Sequence, residues 1–245
     1  MAKIFSSETT VVVTGAARGQ GAAHASLLGR PGVRIILTDV LDDEGERTAA
    51  VLRSSGADAH YRRLDVTNPD DWNLLAEELR GSDLPLTGLV NNAGILRYSS
   101  IVETNLDSWK LHEQVNVHGT FLGIQSLAPL MVANGGGSIV NVSSTAALNG
   151  AKGYAAYSAS KAAVLALTKV AALEFSPKVR INAICPGGVE TPMNDFEPQG
   201  GSSSSAPLGR RALVEEISPL IEYLLSARAS FVTGASYTID GGLTI

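Results

Sequence analysis

The chain has 245 residues, 44% hydrophobic and 18% charged, with a formal net charge of −5. A mildly acidic chain argues against general binding to nucleic acid or to an anionic membrane, which both need a basic face. One cysteine excludes an internal disulfide, and with only four scattered histidines beside it no metal site is expected.

No apolar run reaches membrane-spanning length, and residues 1–13 lack the pattern of a secretory signal. A cytoplasmic globular protein is therefore expected. Along the chain, strand and helix patterns alternate. The first strand is Thr10–Thr14, a β-branched run, followed by a glycine-rich turn and an alanine-rich helix. Arg34–Asp39 is the next strand. Asn68-Pro69-Asp70-Asp71 predicts a capped helix start that leads into Trp72–Arg80. Leu86–Asn91 is a strand, Asp107–Met131 a long helix, Ser138–Val142 a strand and Ser158–Phe175 a second long helix. Val179–Ile184 and Ser236–Ile239 complete the strands. Most are apolar on both faces, so the alternation predicts a parallel sheet covered by helices on both sides. Residues 192–211 break the pattern. They are rich in Pro, Gly and Ser, and a loop of that length suggests either a functional lid or a simple insertion.

Four constellations could carry chemistry. Thr14 through Gly21 (TGAARGQG) joins a strand to a helix. Glycines at 15, 19 and 21 let the chain turn sharply and let a pyrophosphate approach bare amides at the positive end of the helix. The spacing differs from the G-x-G-x-x-G dinucleotide fingerprint. Asp39 ends the second strand, where a carboxylate can accept hydrogen bonds from both hydroxyls of an adenosine ribose. It would repel a 2′-phosphate, and neighbouring Val40 offers no compensating charge. Arg18 could reach such a phosphate, but Asp39 decides the reading: NAD, not NADP. An ordinary turn cap is the bland alternative for Asp39. Tyr157 and Lys161 are spaced i, i+4, which puts both on one face of a helix. A free phenol titrates at about 10, and a neighbouring cation lowers that toward working pH. Tyr154 has Ser158 at i+4 and gains no such help. Ser143-Ser144 follows a strand end, where either hydroxyl could hold a substrate oxygen or cap a turn.

Together these residues resemble the short-chain dehydrogenase/reductase family over nearly the whole chain. The family's T-G-x-x-x-G-x-G is Thr14–Gly21, its N-N-A-G is Asn91-Asn92-Ala93-Gly94, and its Y-x-x-x-K is Tyr157–Lys161. Its serine 13 residues before the tyrosine selects Ser144, its N-x-x-G helix asparagine is Asn116, and its P-G turn is Pro186-Gly187 with Thr191 downstream. Asp240-Gly241-Gly242 matches its terminal turn. The resemblance implies an α/β fold: a single-domain, Rossmann-like, three-layer αβα sandwich on a mainly parallel seven-stranded sheet, spanning 1–245. It implies NAD bound by Gly15, Arg18, Gly19, Gln20, Gly21, Asp39 and Val40. Asp65 and Val66 would flank the adenine. Asn92, Ala93, Gly94, Pro186, Gly187, Val189 and Thr191 would line the rest of the cofactor path. Tyr157 would be the acid/base, with Ser144 on the substrate oxygen, Lys161 on the tyrosine and the nicotinamide ribose, and Asn116 holding a relay water. The cofactor stretches are most similar to those of bacterial NAD-dependent hydroxysteroid dehydrogenases of the 3α/20β type.

The expected reaction interconverts a secondary alcohol and a ketone by hydride transfer. Leu96, Leu148, Tyr154 and Phe196 would make a largely apolar pocket, suited to a hydrophobic or cyclic substrate. A ketoreductase for a smaller polar substrate and a non-catalytic NAD sensor are the rival readings. A homotetramer is implied, paired through the two long helices, where Ala159, Ala162, Ala163 and Ala166 permit close approach. Cys185 is expected to be a buried apolar filler, and the histidines structural or solvated.

Overall fold

The computed structural model describes residues 8–194 and 206–245. Its strands are β1 (Thr9–Thr14), β2 (Val33–Asp39), β3 (Asp58–Arg63), β4 (Leu86–Asn91), β5 (Gly137–Val142), β6 (Val179–Pro186) and β7 (Ser236–Ile239). They form one sheet in the order β3-β2-β1-β4-β5-β6-β7. Every neighbouring pair is parallel. The chain runs outward from β1 to β3, then crosses back to place β4 on the other side of β1. A ligand crevice belongs at that reversal, outside the carboxyl ends of the strands.

Side chains alternate across the sheet, and so does the core. Val11 and Val13 of β1 join one buried cluster with Ile35, Leu37, Ile217 and Ile221. Val12 joins the other with Ile36, Leu89, Ile139 and the wholly buried Trp72. Helices α1 (Gly19–Leu28), α2 (Asp42–Ser54) and α8 (Val214–Leu225) supply the first layer. Helices α3 (Pro69–Arg80), α5 (Gly119–Ala133) and α7 (Ala155–Phe175) supply the second. The short α4 (Leu106–His112) and α6 (Ala146–Asn149) sit near the carboxyl edge of the sheet.

The start of α3 is built as the sequence suggests. The Asn68 side chain accepts the Asp70 N–H at 3.1 Å, and Pro69 occupies the first turn with Asp70 and Asp71. Three elements differ from expectation. β3 (DAHYRR) lacks the continuous apolar run that the other strands show. It is an edge strand in which only Ala59 and Tyr61 are buried, so its pattern alternates. The expected helix 107–131 is instead α4, a π-helical stretch Glu113–His118 with Asn116 inside it, and α5. α7 begins at Ala155, not Ser158, which places Tyr157 in its first turn. The sequence also left α2 and α8 unassigned.

Candidate active site

A cavity of about 1060 Å³ runs along the carboxyl edge of the sheet. One end is walled by the turn between β1 and α1. Gly15 there has φ of +63°, which favours glycine. A Cβ on Gly21 would collide with the Gly15 carbonyl oxygen and stand 2.6 Å from Asn92 Nδ2. That asparagine binds the turn directly. Its Nδ2 donates to the Thr14 and Gly15 carbonyls at 2.9 and 3.1 Å. Thr14 Oγ1 in turn accepts the Asn92 and Ala93 N–H groups, each at 3.0 Å. The ends of β1 and β4 are thus laced together at the reversal point. Arg18, the N-cap of α1, makes no side-chain cap, so the first amides of this helix stay open beside the cavity. The Gln20 Oε1 oxygen, buried in the same wall, has no hydrogen-bond partner. An open helix start and a glycine cradle fit a dinucleotide pyrophosphate.

Asp39 sits at the rim of that end. Its Oδ2 accepts the Ala17 N–H at 3.0 Å, and Oδ1 accepts those of Val40 and Leu41 at 2.8 and 3.2 Å. Tyr61 donates its hydroxyl to the Asp39 carbonyl at 2.7 Å and to Asp42 at 2.8 Å. Burial, followed by Asp42, pushes the Tyr61 phenol well above its ordinary range, so it remains a donor. Arg18 lies 3.9 Å from Glu44. Asp65 and Val66 line the same region, and Asp65 Oδ1 is held by the Thr67 amide at 2.9 Å.

The middle of the cavity gathers the hydroxyls. Lys161 is only 4% exposed, and its Nζ donates to the Val142 carbonyl at 2.8 Å. Nζ lies 5.8 Å from the Tyr157 ring centroid. Burial lowers the Lys161 pKa to about 8. The two serines separate clearly. Ser143 is buried, and its hydroxyl donates to the Lys161 carbonyl at 2.8 Å. Ser144 Oγ accepts the Ala146 N–H at 3.1 Å and so keeps its own proton for another acceptor. Ser144, Tyr157 and Lys161 all line the cavity, as do Asn92, Ala93, Gly94, Pro186, Gly187, Val189 and Thr191.

Asn116 and Gly21 do not line it. The Asn116 amide is taken up by protein: Oδ1 accepts the Ile95 N–H at 2.8 Å, and Nδ2 donates to Ile95 O at 3.1 Å and Ser160 Oγ at 2.9 Å. Ser160 then donates to the Tyr157 carbonyl at 2.7 Å. This asparagine therefore ties the segment after β4 to the first turn of α7.

The far end of the cavity carries Leu96, Tyr154, Leu111, Val115 and Met193. Tyr154 packs edge-on against Tyr98 at 5.6 Å and against Tyr157 at 6.3 Å. Leu148, expected in this wall, is 45% exposed and outside the cavity. Phe196 lies outside the described residues, as does most of the expected lid at 192–211. The two bases of that excursion are joined. The Glu190 N–H donates to Ala212 O, and the Ala212 N–H to Gly188 O, each at 2.9 Å. Sequence reasoning missed the C-terminal contribution: Leu243 and Thr244 line the cavity, carried there by the turn at Asp240. That link is long in sequence, so no motif signals it. His112, expected with the other histidines to be structural or solvated, is structural: its buried ring accepts the Arg97 N–H at 3.1 Å and binds Ser108 O at 2.7 Å.

The enoyl-(acyl carrier protein) reductase family model matches residues 15–244. The chain belongs to the short-chain dehydrogenase/reductase family. It is 40% identical over 244 residues to a trans-4-hydroxycyclohexanecarboxylate dehydrogenase from Sinomonas cyclohexanicum, covering 97% of this chain and 93% of the relative. It is 38% identical over 243 residues to a cyclopentanol dehydrogenase from Comamonas sp., covering 97% of each. A 3-alpha-(or 20-beta)-hydroxysteroid dehydrogenase from Mycobacterium bovis shares 40% over 232 residues, 94% of this chain and 87% of that one. Among solved structures, a short-chain type dehydrogenase/reductase from Mycobacterium ulcerans superposes with a TM-score of 0.92 at 30% identity, covering 97% of this chain and 90% of that one. Dehydrogenases of this family work with a nicotinamide cofactor, and the open glycine cradle of this short-chain dehydrogenase/reductase fits one.

Proposed function

We propose that this protein is an NAD-dependent oxidoreductase that interconverts a cyclic or otherwise hydrophobic secondary alcohol and its ketone. The observation that carries the reading is the convergence of Ser144, Tyr157 and buried Lys161 on one stretch of the cavity whose other end closes at Asp39. The relatives named for cyclic alcohols and hydroxysteroids support the substrate class.

A bound nicotinamide would supply the hydride acceptor for oxidation and the donor for reduction. The chain's own groups handle orientation and the proton. Ser144 donates a hydrogen bond to the substrate oxygen. Tyr157 takes the hydroxyl proton during oxidation and returns it during reduction. The Lys161 charge favours the phenolate form of Tyr157, which is what a base at neutral pH needs. Asn116 and Ser160 hold the turn that carries Tyr157. Gly15, Arg18, Gly19 and Gln20 would take the pyrophosphate side, with Gly21 packed behind them, Asp65 and Val66 the adenine, and Val189 and Thr191 the carboxamide.

The preference for NAD rests on Asp39. Three backbone amides hold its carboxylate at the rim of the cavity, where in our reading it would meet the adenosine ribose and repel a 2′-phosphate. Arg18, a cation on the same wall, lies beside Glu44, whose charge opposes its use on a 2′-phosphate.

We place residues 1–245 in one catalytic domain, since all seven strands share one sheet. We also infer a homotetramer. Leu106, Phe121, Val170 and Leu173 are large apolar side chains exposed on α4, α5 and α7. The function is tested by following reduced-nicotinamide absorbance with NAD or NADP against cyclopentanol, cyclohexanol and a hydroxysteroid. Turnover of a cyclic alcohol with NAD is expected, and activity confined to sugars or polyols would overturn the reading. Light scattering of a monomer at micromolar concentration would overturn the assembly.

A further inference from the structure

The charges along the cavity are unevenly placed. Its carboxylates, among the described residues, are Asp39 and Asp65, both at the nucleotide end. Beyond Lys161, the charged residues of the opposite end are Arg97 and Lys152, and both are cations. Both are exposed. Neither takes part in an ion pair among the described residues.

The two cations are carried by segments that touch. Ser99 and Tyr154 form a parallel bridge, and the Ser99 N–H donates to Gly153 O at 2.9 Å. The chain before Tyr154 turns, its N–H donating to Ala151 O at 3.1 Å, so Lys152 stands at the corner of a turn that abuts the segment carrying Arg97. The packing between them agrees: a Cβ on Gly153 would run into the Tyr98 ring, so residues 98 and 153 are in contact one step along. His112 fixes the Arg97 backbone from behind. Two like charges at one mouth of a cavity repel each other, and an anion between them relieves that repulsion. Leu96, Leu111 and Tyr154 meanwhile give the same end an apolar wall.

We propose that Arg97 and Lys152 form a carboxylate subsite, so the preferred substrate is an alicyclic secondary alcohol that carries an anionic carboxylate away from its hydroxyl. This rests on the reading of the site given above. The ring would lie on the apolar wall, the hydroxyl at Ser144 and Tyr157, and the carboxylate at the cationic mouth. A guanidinium matches a carboxylate in bidentate geometry, and an adjacent ammonium adds a point charge.

The test compares trans-4-hydroxycyclohexanecarboxylate with its neutral carboxamide, using the full-length protein and NAD. The acid is expected to exceed the amide in kcat/KM by about tenfold or more at low salt, and the gap should narrow in 0.5 M salt, as screening requires. The double variant Arg97→Gln, Lys152→Gln should cut the acid-to-amide ratio by roughly tenfold, since it removes both charges. Arg97→Lys, which keeps the charge, should retain most of the ratio. Both side chains are exposed, so unchanged thermal melting is the check that the variants fold. An acid-to-amide ratio of one or less, a ratio indifferent to the double variant, or a stronger preference for a coenzyme A thioester would overturn the subsite. Turnover of the amide or of cyclopentanol without acid preference sinks this inference alone. No NAD reduction by any secondary alcohol sinks the proposed function as well.

Discussion

The Lys161 ammonium donates to the Val142 carbonyl at 2.8 Å, which pins α7 to the end of β5 one residue before Ser143. That bond holds a cation in a site where burial lowers its pKa to about 8. A lowered lysine pKa means that the folded state binds fewer protons than the unfolded state between about 8 and the ordinary value of 10.5. Stability therefore rises with pH across that window, and at pH 7 the buried charge costs roughly 3 kcal/mol. Lys161→Met should raise the melting temperature at pH 7 while lowering turnover by orders of magnitude. A variant both less stable and equally active would contradict this account.

Tyr157→Phe removes the proton carrier and leaves the ring packing against Tyr154 and His112. Turnover should fall about 10²- to 10⁴-fold, the usual weight of a general acid/base. Affinity for NAD, read by titration calorimetry, should stay within a few-fold of wild type.

Asp39→Ala should lower kcat/KM with NAD by about tenfold through the lost ribose hydrogen bonds, and raise kcat/KM with NADP by removing a repulsive charge. Glu44→Gln in the same background should favour NADP further, because Arg18 is then released. Unchanged cofactor selectivity in both variants would remove Asp39 from the adenosine site.

Gly21→Ala sets a methyl group against the Gly15 carbonyl and Asn92 Nδ2. Backbone cannot yield there as a flexible side chain could. The variant should lose cofactor affinity and melt several degrees lower, a penalty of about 1–3 kcal/mol for overpacking. Differential scanning calorimetry with and without NAD reads both effects.

His24 is wholly buried between α1 and α8, its Nδ1 2.8 Å from Ser218 Oγ. Burial lowers its pKa to about 4 from 6.5. The unfolded chain then binds the extra proton first, so stability is lost as pH falls from 6.5 toward 4, by roughly 3 kcal/mol in all. Urea titrations of His24→Asn should show a smaller drop across that range than wild type.

Much of this was legible in the linear chain because it is local chemistry. The β-branched run before the glycine turn, the cap at Asn68 and the i, i+4 pair at Tyr157 and Lys161 each depend on neighbours a few residues apart. Strands read as short apolar or β-branched runs, which is why six of the seven were placed within two residues at both ends. β3 escaped because an edge strand with one covered face buries only alternate residues. The choice between Ser143 and Ser144 needed the resemblance to decide it, and the structure supplies a physical reason: one hydroxyl is spent on the Lys161 carbonyl.

Composition, periodicity and spacing determined the layered α/β architecture and marked the glycine turn, Asp39, the Tyr157–Lys161 pair and the two serines, because backbone propensity and motif geometry act over short distances; the family resemblance added the remaining site residues. The tertiary structure decided what those residues face. It turned Asn116 toward Ile95 and Ser160, brought the C-terminal Leu243 to the cavity, and set Arg97 and Lys152 on the same cavity. Each of these joins segments far apart in the chain, and only packing of the whole sheet brings such segments together.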